Sequence, residues 1–118
     1  VRDDRLYLLH ILECIGRIET YIEGGRQSFM ESTIVQDAVL RNLHTLTEST
    51  QRLSSDLKAK HTEVDWHGIA GFRNVLVHGY LGVDEDRCWD VIHRLLPLLK
   101  GAVESMLEEC NNKRETPG

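Results

Sequence analysis

The sequence predicts an all-α protein, an antiparallel bundle of four main helices. Apolar residues recur at intervals of three and four along most of the chain, and no stretch alternates apolar with polar side chains as a half-buried strand would. Length adds a constraint: 118 residues can bury roughly two-thirds of the unfolded surface, enough for one core and not for two. The expected organisation is one helical domain over residues 1–112 and a polar, flexible tail over 113–118.

The first helix runs from Asp3 to about Gly24, with Leu8, Ile11, Ile15, Ile18 and Ile22 on one stripe; Gly24-Gly25 ends it. Residues Arg26 to Glu31 fit either a loop or one extra turn, with Phe29 and Met30 plugging the bundle end. A second helix starts at Ser32 or Thr33, both suited to N-capping, and carries Val35, Val39, Leu43, Leu46, Leu53 and Leu57 to an end near Lys60. Asp65 is the expected N-cap of a third, shorter helix with Trp66, Ile69, Phe72, Leu76 and Val77 as its apolar positions and Gly79 as its terminator. The last helix opens near Asp84, where Glu85 and Asp86 suit the positive end of its dipole, and it runs through Trp89, Ile92, Leu95 or Leu96, Leu99, Val103, Met106 and Cys110. Pro97 lacks an amide hydrogen, so it removes one backbone bond from that helix or kinks it. Val91, Leu95, Leu96, Leu98 and Leu99 make this helix apolar on more than one face. A homodimer is the simplest partner for the excess, and deeper burial within one bundle is the alternative.

Composition excludes several classes. Hydrophobic content of 41% with 28% charged residues is that of a globular domain rather than a disordered chain. No apolar run approaches the ~20 residues that cross a bilayer, and Val1-Arg2-Asp3-Asp4-Arg5 lacks the apolar stretch of a signal peptide, so a cytoplasmic protein without a membrane partner is expected. Cys14, Cys88 and Cys110 are odd in number and widely spaced, which reads as reduced thiols rather than a disulfide framework. A net charge of −5 argues against nucleic-acid binding by bulk charge and leaves room for a local basic site.

The densest cluster of reactive side chains is Trp66 to Tyr80. Within it Arg73 and Tyr80 are seven apart, Asn74 and His78 four apart, and a guanidinium, an amide, an imidazole and a phenol can converge at one helix end. His78 stands to one side unless the helix has unwound before Gly79. Such a group suits phosphodiester chemistry: arginine presents a fork of donors matched to phosphate oxygens, and histidine can move a proton near neutral pH. The same residues also fit a structural role, with Arg73 paired to nearby acids, His78 facing the helix dipole and Tyr80 half-buried.

The string Arg73-Asn74-Val75-Leu76-Val77-His78-Gly79-Tyr80 resembles the R-x4-H-x-Y signature of the HEPN superfamily, in its small HepT-like toxin branch. Gln36-Asp37-Ala38-Val39-Leu40-Arg41-Asn42-Leu43 and Ile69-Ala70-Gly71-Phe72 fit the same family, and the likeness runs from about Leu6 to Leu107. Many relatives carry Gly-Glu-Ala on the second helix where this chain reads Leu46-Thr47-Glu48-Ser49-Thr50, keeping the glutamate. The resemblance implies an all-α homodimer whose two motifs meet in an interface cleft, acting as a metal-independent endoribonuclease toxin of a HepT/MntA-type, type VII-like toxin–antitoxin system. On that likeness Arg73 and His78 are the catalytic pair, Asn74 orients substrate or imidazole, and no metal or cofactor takes part. The implied partners are RNA and a minimal nucleotidyltransferase antitoxin that adenylylates Tyr80. Bulk and negative charge beside Arg73 would then block phosphate access. The competing expectation is a non-catalytic helical adaptor that binds nucleotide or the nucleotidyltransferase.

Other features carry less. His61, His67 and His78 lack the spacing of a metal site, and Gly68 and Gly71 follow no strand and so make no phosphate loop. Arg52, Lys58, Lys60 and His61 form a modest basic patch that could guide RNA. Asp84, Glu85, Asp86 and Asp90 could hold Arg73 until substrate arrives or attract a basic partner.

Overall fold

Every long helix begins on a side-chain oxygen that meets an otherwise orphaned backbone N–H. In the computed structural model, which describes residues 3–78 and 83–115, Asp3 accepts from Arg5 N at 3.1 Å and opens α1 (Asp4–Tyr21). This helix buries Leu8, Ile11, Cys14, Ile15 and Ile18, while Ile22 falls just past its end and is only half-buried. Gly25, at φ +86°, takes the left-handed conformation that a side chain would strain, and α2 (Gly25–Glu31) follows. The open choice for this segment is thus resolved as a short helix with Phe29 buried. Gln36 donates to the carbonyls of Phe29 and Met30 at 2.9 and 3.1 Å, satisfying the end of α2.

Ser32 accepts from Val35 N at 3.2 Å and caps α3 (Thr33–Gln51). The expected run to Lys60 is corrected here: α3 stops at Gln51, and α4 (Ser55–Ala59) is a separate helix. The break has a long-range cause. Asp4, at the start of α1, accepts from both the backbone N and the Oγ of Ser54 at 2.9 Å, and the same hydroxyl accepts from Leu57 N as the cap of α4. Leu53 and Leu57 are both buried, so the apolar period survives the break.

Asp65 Oδ1 accepts from Gly68 N at 2.9 Å and starts α5 (Trp66–His78), which buries Ile69, Phe72 and Leu76. Val77, the last of the expected apolar positions, is 48% exposed, because helical geometry turns it away from Ile69 and Leu76. Asp84 accepts from Asp86 N at 2.8 Å at the start of α6 (Glu85–Glu115), which continues through Pro97. Leu96 and Leu99 on α6 are buried, Val91 and Leu95 half-buried, and Leu98 is 56% exposed.

α3 packs on α1 and on α5, and α6 packs on α1. Arg5 at the start of α1 reaches Asn111 late in α6, whereas Glu19 near the end of α1 pairs with Lys100 earlier in α6, so these two helices run antiparallel. Leu8, Ile11, Ile18, Val39, Leu43, Leu46, Leu99, Val103 and Met106 form the centre of the core. Arg26 of α2 pairs with Asp86 of α6, and Phe29 meets Trp89 with ring centroids 5.3 Å apart. The described residues contain no strand, and no helix among them is long and apolar enough to cross a membrane.

Candidate active site

The site is built on the outer side of α5, where it lies along α3. Ile69, Phe72 and Leu76 fix the inward face of α5, so a rotation of about 100° per residue leaves Arg73 on the flank of that face and Asn74 and His78 together on the solvent side. Arg73 is half-buried, and its Nε donates to Oε1 of Glu48 on α3 at 2.9 Å. The side chain then reaches round its own helix, and NH1 donates to Asn74 Oδ1 at 3.3 Å. Four residues before Glu48, His44 brings Nε2 within 3.4 Å of the same carboxylate oxygen. The Arg73 hydrogen bond is the leading cause that holds the Glu48 carboxyl below its ordinary range; partial burial opposes it, and His44 adds to it.

His78 is the last residue of α5 and is exposed. Because the helix persists to this position, His78 stands about 140° around the axis from Arg73, and the two do not share a face within one protomer. Asn74 stands between them, bonded to Arg73 and one helical turn from His78. Tyr80 lies outside the described residues.

The acidic residues at the start of α6 do not hold Arg73. Among the described contacts Glu48 does so, and Asp86 is engaged by Arg26. Of the expected basic patch, Arg52 and Lys60 are exposed, whereas the other two members are engaged elsewhere. His61 is buried, with Nδ1 3.1 Å from Glu63 and Nε2 3.0 Å from Glu109, and Lys58 donates to the Thr50 carbonyl. No group of three or more His, Cys, Asp or Glu among the described residues is arranged to hold a metal ion. A groove of about 500 Å³ lies between α5 and α6. Its apolar lining includes Val64, Ile69, Phe72 and Leu98, its rim carries Arg87 and Arg94, and neither Arg73 nor His78 lines it.

The contact that spacing within α5 could not reveal is Glu48. A local signal did exist, since His44 and Glu48 are four apart and therefore neighbours on one face of α3. The hydroxyl residues around it turn inward: Thr47 and Thr50 are buried and donate to the carbonyls of His44 and Thr47 in their own helix.

The profile of the family described as "Ribonuclease HepT-like" matches residues 11–106, most of the chain and all of Arg73 to His78. The chain belongs to the HepT-like ribonuclease family. Among its HepT-like relatives is a Thermococcus cleftensis protein named "Probable ribonuclease HepT", 33% identical over 89% of this chain and 96% of that one. A "Putative RNase" of Caldanaerobacter subterraneus subsp. tengcongensis is 32% identical over 92% of this chain and 98% of its own. A longer protein of Methanocaldococcus jannaschii, named "Gamma-glutamylcyclotransferase and putative RNase", is 32% identical over 96% of this chain, which spans about half (51%) of it. No solved structure gives a significant match.

Proposed function

We propose that this HepT-like chain is a metal-independent endoribonuclease toxin, acting in the cytoplasm as a homodimer and silenced by adenylylation of Tyr80 by a minimal nucleotidyltransferase. Membership of a ribonuclease family over residues 11–106 carries this reading, because that span includes an arginine and a histidine five residues apart at the end of one solvent-facing helix. In the proposed reaction the ribose 2′-oxygen attacks phosphorus, and the bond from phosphorus to the 5′-oxygen breaks. The 2′-hydroxyl proton leaves to a base, and the departing 5′-oxygen gains a proton, giving a 2′,3′-cyclic phosphate and a 5′-hydroxyl end. His78 moves one of these protons, Arg73 neutralises charge on the phosphoryl oxygens, and Asn74 orients the imidazole or the substrate.

The angular separation of Arg73 and His78 in one protomer favours a site completed across a two-fold axis, with each motif supplying what the other lacks. Purified protein incubated with defined RNA in EDTA tests the reaction. Cleavage is expected from the wild type and a loss of about 100-fold or more from Arg73→Ala and from His78→Ala, with the helical content of both variants unchanged. Retained cleavage by either variant refutes the assignment. Failure of the wild type to cut RNA favours the non-catalytic adaptor. Co-expression with the nucleotidyltransferase should add adenylyl mass to the peptide containing Tyr80, and an unmodified peptide rules that regulation out.

A further inference from the structure

We propose that Glu48 is a positioning residue for Arg73, presenting the guanidinium to phosphate by anchoring it at Nε. This inference rests on the nuclease reading above and concerns a residue on a different helix from the motif.

Arginine has a long, rotamer-rich side chain, and a guanidinium in open solvent samples many directions. Here two contacts fix it. Glu48 Oε1 accepts from Nε at 2.9 Å, and Asn74 Oδ1 accepts from NH1 at 3.3 Å. The carboxylate takes the donor nearest the side-chain stem, which leaves the remaining N–H groups on the terminal nitrogens for the paired oxygens of a phosphate. α3 is a suitable anchor because it is packed on both sides, by α1 and by α5, with Leu43 and Leu46 fully buried. His44 steadies the same carboxylate from the preceding turn at 3.4 Å.

Electrostatics gives the anchor a distinctive kinetic signature. Glu48 is an anion beside a site that would bind an anion, so its removal does not weaken the attraction of RNA. What is lost is the direction of the guanidinium at the moment charge builds on phosphorus. The loss therefore falls on kcat with KM unchanged or lower. A variant that is merely less folded also lowers apparent kcat, so unchanged helical content in circular dichroism and retention of kcat in Glu48→Gln separate the two.

The experiment compares Glu48→Ala and Glu48→Gln with the wild type in steady-state RNA cleavage and in arginine Nε–H NMR spectra, the Arg73 signal being assigned by its absence from Arg73→Lys. Glu48→Ala is expected to lower kcat about tenfold or more with KM unchanged or lower, and to shift or broaden the Arg73 Nε–H signal. Glu48→Gln keeps an acceptor oxygen and is expected to retain kcat within about threefold of the wild type. A wild-type kcat in Glu48→Ala, or an unaltered Nε–H signal, overturns the proposal. So does a Glu48→Gln enzyme as impaired as Glu48→Ala, since that would mark Glu48 as a proton carrier. Absence of cleavage by the wild type refutes the nuclease reading instead, and the Nε–H signal then decides the anchor alone.

Discussion

The Arg73–Glu48 pair makes a prediction about acidity. The carboxyl of Glu48 sits below its ordinary value, principally through the hydrogen bond from Arg73. Unfolded, it titrates near the usual ~4.3. The pair therefore contributes stability above that value and loses it as the pH falls through the lower folded one. Both side chains are about a third exposed, at 33% and 37%, so water screens the pair and its contribution stays below about 1 kcal/mol. The difference in Tm between wild type and Glu48→Gln should be constant from about pH 7 to pH 5 and close below about pH 4. The cysteines offer a second measurement at this scale. Burial pushes the Cys88 thiol up to about 12, with the Glu85 charge adding to it, and burial raises Cys14 against the pull of Arg17. Neither forms thiolate near neutral pH, so alkylation by iodoacetamide should spare both until the protein unfolds. The Arg73 anchor itself was not legible from the motif: it comes from a helix 25 residues away, and no pattern within α5 records what lies across from it.

Helix starts were the most legible elements, because capping is a local event. Of the expected caps, Ser32, offered together with Thr33, and Asp65 each receive a backbone N–H, and the last helix opens beside Asp84 as its spacing indicated. The end of α3 was not legible, because the hydrogen bonds that open α4 come from Asp4, 50 residues upstream, while Leu53 and Leu57 keep the helical period across the break. Ser54→Ala should cost about 0.5–2 kcal/mol in denaturant unfolding, since it removes both the α4 cap and one bond to Asp4. Asp4→Ala should cost at least as much, because it frees the Ser54 amide as well. His61 shows the same limit from the other side. Its neighbours Arg52, Lys58 and Lys60 suggested an exposed basic face, and the acids that enclose it, Glu63 and Glu109, include one 48 residues away.

At the scale of the molecule, the all-α class followed from periodicity, while the α5–α6 groove is a property of how the helices are arranged. α6 has 31 residues and a rise of about 46 Å, close to the full 54 Å length of the protein, yet it is seated chiefly on α1. Its surplus of leucines is real, for Leu98 is exposed beside half-buried Leu95 and Val91. If a second copy covers this groove, Leu98→Glu should shift the protein toward monomer in sedimentation while leaving its circular dichroism unchanged. A dimer that persists through that change places its interface elsewhere. The imidazole of His61 has a consequence of the same reach. It bridges Glu109, far along α6, to Glu63, just ahead of α5, while Trp66 at the head of α5 donates to its carbonyl. The far stretch of the longest rod is thereby bolted to the hinge from which the arginine-bearing rod departs, and shearing the chain ahead of position 109 would unseat that bolt from a distance.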